Sequence, residues 1–323
     1  MDVNYKKMGS VIMAYFQVRT DLALEAREYV EDANGVLRGV IVEEYDSNEA
    51  DIHVTKVQIT TKNGAKTLGK PMGTYITLEV PNLCEMGENS DVSEHHKEIA
   101  NEISSQLMEL LPMNKEICGV LVVGLGNRDV TADALGPGVV EHLCITRHII
   151  KEYGKLAFHK QQVNMVSSIV PGVMAKTGME TAEIVKGIVK ETKPDAVVVI
   201  DALAARSTKR LNRTIQISNT GIHPGSGVGN HRNAITEEVL GIPVIAMGVP
   251  TVVDAATIVN DALERMHKEL KETVFLQARD SAALAELNNM YVTAKDIDAT
   301  IKRLSCTLAE ALNLTFGVEG NNI

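Results

Sequence analysis

The sequence predicts an α/β protein: buried, largely parallel strands with helices on both faces, and a β-rich addition at the N-terminus. Three observations predict it. Residues 117–123 (ICGVLVV) and 196–200 (AVVVI) are nearly continuous apolar runs, the pattern of strands buried on both faces. Helical stretches at about 136–153 and 178–192 alternate with those runs, as in an α/β layer. Upstream, residues 74–80 alternate with the period of a half-buried strand.

Residues 1–19 read as an appendage. Thr20 then offers a capping hydroxyl to residues 21–28 (DLALEARE), a run of early acids and strong helix formers. Residues 36–44 and 52–60 read as strands, with turns at Asn34-Gly35 and Asn63-Gly64. Residues 85–94 are mostly polar and read as a loop. Residues 94–111 put Ile99, Ile103, Leu107 and Leu110 on one helical face. Residues 215–218 and 244–247 are further strands, and 251–312 reads as mostly helical. One α/β domain with N-terminal additions is more economical than two domains.

Composition excludes several classes. The 323 residues are 45% hydrophobic and 23% charged, which rules out disordered and fibrous chains. No run of about 18 apolar residues exists, so no transmembrane helix is expected. The N-terminal apolar patch is broken by Gln17 and Arg19 and lacks the small-residue cleavage site of a signal peptide. A net charge of −10 argues against direct nucleic-acid binding, which needs excess Lys and Arg. The cysteines (Cys84, Cys118, Cys144, Cys306) are far apart and form no CxxC, which suits a reducing cytoplasm.

Chemistry is expected beyond the carboxyl ends of the strands. The segment after the first apolar run carries Gly124, Gly126 and Asn127 in a turn that resembles a dinucleotide fingerprint. Asp129 stands where the third glycine belongs, and Asp129 and Asp133 would repel phosphate at the helix start. The segment reads better as a glycine turn that presents a carboxylate. Asp201 follows the second apolar run, either as a cap of the next turn or as a functional acid. Asp133 and Asp201, both placed in carboxyl-end loops, form a pair able to divide acid and base roles.

Two further loops are rich in glycine. One holds Gly172, Thr177 and Gly178; the other holds Gly225, Gly227, His223 and His231. Glycine density of this kind marks special backbone angles. The two histidines are candidate ligands, bases or plain loop residues, and their spacing matches no trusted zinc pattern. His95-His96 lies in a charged stretch and reads as a solvated face. No GxSxG elbow is present.

On these segments the chain resembles the germination proteases of spore-forming bacteria. The likeness is carried by residues 122–127 (VVGLGN) with 133–137 (DALGP), and by 171–174 (PGVM) with 177–181 (TGMET). Residues 198–206 (VVIDALAAR), the loop 225–232 and 19–23 (RTDLA) complete it. The resemblance implies a mixed sheet flanked by helices, similar to hydrogenase-maturation endopeptidases. It implies an atypical aspartic-type endopeptidase, with no cofactor or metal, that degrades small acid-soluble DNA-binding spore proteins at germination. It implies a homotetramer of the forespore or spore core, made as a zymogen. The catalytic pair would be Asp133 and Asp201, with Asp129 as a competitor for the first place. One aspartic acid, held protonated, would polarise the scissile carbonyl while the other activates water. Self-cleavage would fall at Asp21-Leu22, leaving residues 1–21 as propeptide and 22–323 as the protease domain. The loops bearing Gly124, Gly126, Asn127, Gly172, Thr177, Gly178, Gly225, Gly227 and His231 would bind substrate. Competing readings are a metal-dependent maturation endopeptidase, with nickel on Asp133, Asp201 and a histidine such as His231, and a non-catalytic α/β binding module.

Overall fold

Among the described residues nine strands, numbered β1 to β9 along the chain, form one sheet in the order β1-β2-β3-β7-β8-β6-β4-β5, with β9 pairing β8 beside that path. The computed structural model describes residues 20–32, 38–47, 51–81, 83, 91–112, 115–154, 158, 163–225, 233–259, 262, 287 and 290–318. Strands β4 (Gly119–Gly124), β5 (Met165–Ile169), β6 (Ala196–Ala205) and β8 (Val244–Asp254) run parallel to their neighbours among these four. Strands β1 (Val40–Ser47), β2 (Ile52–Ile59) and β3 (Gly73–Glu79) are antiparallel to one another. Strand β7 (Thr214–Ser218) joins this wing to the parallel part, antiparallel to both β3 and β8. The mixed sheet is therefore as expected, and the N-terminal β-rich addition is an extension of the same sheet.

The cores of β4, β6 and β8 are apolar because both faces are covered. On one face Val120, Val122, Val198, Ile200, Ile245 and Met247 pack against α3 (Asp91–Leu110), α4 (Leu135–Glu141) and α9 (Ile297–Thr315). On the other, Leu121, Val123, Val197, Val199 and Val244 meet Val185 and Val189 of α7 (Thr181–Thr192). Each such fully buried side chain stabilises by roughly 1.5–3 kcal/mol relative to exposure. The predicted face of α3 is the buried one: Ile99, Ile103 and Leu107 are each 0% exposed.

The structure corrects several boundaries. The stretch 136–153 is two helices, α4 and α5 (Arg147–Tyr153), because residues 142–146 are tied elsewhere. The Cys144 N–H donates to Asn313 Oδ1 at 2.9 Å, and Thr146 Oγ1 accepts from the Val166 N–H at 2.8 Å. These bonds to α9 and β5 replace a helical ladder. The helix predicted at 178–192 starts later: Gly178, at φ 70°, ends the one-turn α6 (Met174–Thr177), and α7 begins at Thr181 under a Glu180–Glu183 capping box. The region read as mostly helical opens instead with the last four residues of β8 and contains β9 (Tyr291–Val292). His96 is no solvated histidine: its Nδ1 is 2.8 Å from Thr307 Oγ1 of α9. The loop predicted at 85–94 is shorter, because residues 91–94 already belong to α3; its residues 85–90 and the appendage 1–19 lie outside the described residues.

Candidate active site

Strand β4 stops at Gly124, where a side chain would collide with the Gly136 carbonyl of α4. Strands β6 and β8 run on past it. The last ladder position of β4 pairs Gly124 with Ile200, so Asp201 is the first β6 residue beyond that edge. Asp201 was expected in a loop; it lies inside β6, opposite Gly248, because β8 continues alongside as far as Asp254. No helix follows for it to cap. Its Oδ1 accepts from the Ala202 N–H at 2.9 Å, and the residue is 7% exposed.

Asp133 closes a 3-10 turn (Thr131–Asp133) just before α4. Three bonds fix that turn. The Asp133 N–H donates to Val130 O at 2.8 Å, the Asn127 N–H donates to Asp133 O at 2.9 Å, and Thr251 Oγ1 of β8 donates to Ala132 O at 2.6 Å. Gly126, at φ 117°, leaves room for the turn, since any Cβ there would overlap the Asp133 carbonyl. Asp133 and Asp201 thereby line one cavity of about 390 Å³.

Gly126, Gly172, Gly225 and His223 line the same cavity. Gly124, Asn127, Thr177 and Gly178 do not; Gly124 serves helix packing, Asn127 holds the 3-10 turn, and Thr177 and Gly178 end α6. Gly227 and His231 lie outside the described residues. Asp129 is also not among the lining residues. It is exposed and paired with Lys176. Among the described residues no group of three His, Cys, Asp or Glu is placed to hold a metal ion. The nickel set named from sequence included His231, so only its two carboxylates are described.

The cavity also receives the chain's own N-terminal segment. The Asp21 N–H donates to Ala204 O of β6 at 3.0 Å, and the Ala204 N–H returns a bond to Asp21 Oδ2 at 2.9 Å. Leu22 is 0% exposed against Leu203, Ala205 and Val253. Gln216 of β7 grips both sides of Leu22. Its Oε1 accepts from the Ala23 N–H at 2.6 Å, and its Nε2 donates to Asp21 O at 3.0 Å. Lys70 Nζ donates to Asp21 O at 2.9 Å and to Thr20 O at 3.2 Å. Burial pushes the Lys70 ammonium down, while the Asp21 and Glu25 carboxylates pull it up. Burial likewise pushes the nearby Tyr75 hydroxyl up to about 12.

Helix α1 (Ala23–Asp32) follows and is locked in place. Thr20 accepts from the Leu22 N–H at 3.1 Å and donates to Glu25, rather than capping the first helical N–H groups. Glu25 accepts from the Arg206 and Ser207 N–H groups at 2.7 and 2.9 Å. Sequence reasoning missed Lys70, Gln216 and Thr251. Gln216 carried one signal, a polar side chain inside the apolar run Ile215-Gln216-Ile217. Lys70 carried none.

A cavity at the carboxyl edge of the sheet, lined by Asp133, Asp201 and the chain's own Asp21, is the kind of site that an α/β enzyme presents. Comparison with known proteins narrows this. A family model described as germination protease matches residues 18–288. The germination protease of Caldanaerobacter subterraneus subsp. tengcongensis is 47% identical over 314 residues, 92% of this chain and 93% of that protein. That of Clostridium perfringens is 43% identical over 318 residues, 93% of this chain and 95% of that protein. The chain belongs to the germination protease family and is a peptidase. Among solved structures, the [NiFe] hydrogenase maturation protease HycI from Thermococcus kodakarensis KOD1 aligns with 45% of this chain and 80% of its own, at 19% identity and a TM-score of 0.28. Among the described residues no helix is long and apolar enough to cross a membrane.

Proposed function

We propose that this peptidase is an aspartic-type endopeptidase that begins the breakdown of small acid-soluble, DNA-binding spore proteins at germination. It is made as a zymogen that trims itself between Asp21 and Leu22. Residues 1–21 are then the propeptide and 22–323 the protease domain. The working form is a homotetramer in the forespore or spore core, without a cofactor. The observation that carries this reading is that Asp133, Asp201 and Asp21 line one cavity. Family membership supports the substrate and the zymogen.

In this reading the two carboxyl groups divide acid and base work. The ionised one takes a proton from water as its oxygen bonds to the scissile carbonyl carbon. The protonated one gives its proton to the departing nitrogen as the C–N bond breaks. The pair ends with its protons exchanged and one water consumed. The glycine loops at Gly126, Gly172 and Gly225 let substrate backbone approach closely, as extended peptides beside a sheet edge require.

Mass spectrometry of the purified chain, before and after incubation at mildly acidic pH, tests the reading. Loss of residues 1–21 in the wild type, and an intact mass for Asp133→Asn and Asp201→Asn, is the expected result. Equal trimming in all three chains would remove the carboxylate pair. A pre-trimmed chain that leaves a purified small acid-soluble spore protein uncut would remove the substrate.

A further inference from the structure

A carbonyl oxygen has two lone pairs. That of Asp21 is engaged twice, by Lys70 Nζ at 2.9 Å and by Gln216 Nε2 at 3.0 Å. The two donors come from distant parts of the chain, and Lys70 Nζ also holds the neighbouring Thr20 carbonyl at 3.2 Å. Lys70 reaches in because Gly69, at φ 64°, ends α2 (Lys62–Leu68) and turns the chain toward the cavity. Gln216 stands in the middle of β7, flanked by β3 and β8, so its backbone is held on both sides. Its second bond, from the Ala23 N–H to Oε1 at 2.6 Å, fixes the chain two residues beyond the carbonyl. The Asp21-Leu22 peptide is thus gripped at its carbonyl and just past its nitrogen. The Leu22 nitrogen is left to a single bond with Thr20 Oγ1 at 3.1 Å.

We propose that Lys70 and Gln216 are the oxyanion-stabilising pair for cleavage of the Asp21-Leu22 bond. The proposal rests on the self-processing reading above and deepens it. When the water oxygen bonds to the Asp21 carbonyl carbon, the C=O electron pair moves onto the oxygen. The Lys70 ammonium and the Gln216 amide are already directed at that atom. Groups oriented before the reaction and aimed at developing charge are the strongest kind of electrostatic catalyst. Neither loses its proton. The charge returns to the carbonyl as the C–N bond breaks and the Leu22 nitrogen takes a proton from the acid. The assignment changes the work of the carboxylates at this bond. With both carbonyl lone pairs engaged, neither Asp133 nor Asp201 polarises the carbonyl; one activates water and the other protonates the leaving amine.

The test uses the full chain. Gln216→Glu is isosteric: it keeps an oxygen to accept from Ala23 and replaces only the donor to Asp21. Lys70→Met keeps an unbranched apolar stem and removes the ammonium, and Lys70→Arg restores a cation. Rates of self-trimming are read by intact mass beside wild type and Asp201→Asn. Gln216→Glu and Lys70→Met should each slow trimming by about 10²–10³-fold, with Lys70→Arg recovering part of the loss. Trimming at the wild-type rate in Gln216→Glu and Lys70→Met, with Asp201→Asn still inert, would overturn the oxyanion pair and leave the protease reading standing. A wild type that never trims would overturn both.

A second measurement does not depend on turnover. Asp21-Leu22 is the single Asp-Leu pair in the sequence, so labelling Asp carbonyls with ¹³C and Leu nitrogens with ¹⁵N selects that one peptide bond. In the uncut Asp201→Asn chain its carbonyl carbon should resonate downfield, and adding Gln216→Glu or Lys70→Met should move it upfield. A resonance unmoved by either change would overturn the proposal.

Discussion

Asp201 and Gln216 flank Gly248 in a single row of the sheet. Gly248 of β8 pairs in register with Asp201 on one side and Gln216 on the other. Residues in one row share a face, and two strand spacings of about 4.8 Å put the flanking backbones roughly 10 Å apart. The glycine between them offers no side chain to the gap. A Cβ at position 248 would meet Asp201 O at 2.6 Å and Leu203 Cγ at 2.7 Å. Gly248→Ala should therefore push β6 away from β8 just where the candidate acid and carbonyl donor stand. Overpacking of this kind costs about 1–3 kcal/mol. The expected outcome is a matching fall in unfolding free energy, measured by urea titration, and a loss of self-trimming larger than the stability change explains.

Arg210 joins three elements around the start of α1. Its guanidinium holds both Glu28 oxygens at 2.8 and 2.6 Å and Glu79 of β3 at 3.2 Å, with Glu25 at 3.5 Å. The arginine side chain is 12% exposed and that of Glu25 only 2%. Removing the cation would leave a buried carboxylate without it, which costs about 3 kcal/mol or more. Arg210→Met should lower the melting temperature by several degrees and release the Thr20–Ala23 segment, seen as faster hydrogen exchange there. Arg210→Lys should rescue little, since an ammonium cannot hold both Glu28 oxygens in a planar fork.

How far the sequence reached depended on how local each signal was. The cores of β4 and β6 were legible because strands covered on both faces must be apolar at every position. The end of β6 was not. Residues 202–205 (ALAA) are good helix formers, and only distant partners hold them extended, β8 on one side and Asp21 at Ala204 on the other. That misplaced Asp201 in a loop. Asp133 was legible because Gly126 and the turn it allows lie within a few residues of it. Lys70 and Gln216 were not, because their meeting at Asp21 depends on β3 pairing with β7 and on α1 folding back over that row. No spacing in the chain encodes either event.

Asp21 and Ala204 exchange two hydrogen bonds, and one of them uses the Asp21 carboxylate. Asp21→Ala would deprive the buried Ala204 N–H of that acceptor, at about 1–3 kcal/mol. Asp21→Asn retains an acceptor oxygen and should cost less than half as much. Both are best compared in the uncut Asp201→Asn background by urea unfolding. Equal stability in the two variants would show that the carboxylate does not hold the segment in place.

His96 gives the fold a pH dependence of known sign. Burial between α3 and α9 pushes its pKa below 6.5, opposed by Glu310 and reinforced by His95 and Arg303. The unfolded chain therefore binds a proton more readily than the folded one. The stability that neutral His96 contributes is complete above pH 6.5 and falls as pH drops from 6.5 toward the lower folded value. Thr307 Oγ1 sits 2.8 Å from the ring, so His96→Gln can keep a hydrogen bond without titrating. Melting temperatures of wild type and His96→Gln should run parallel from pH 8 to 7, at about the level set by the altered packing. Below about pH 6.5 the wild type should fall more steeply, because only it must take up a proton to unfold. Parallel curves down to pH 5 would place the acid sensitivity elsewhere.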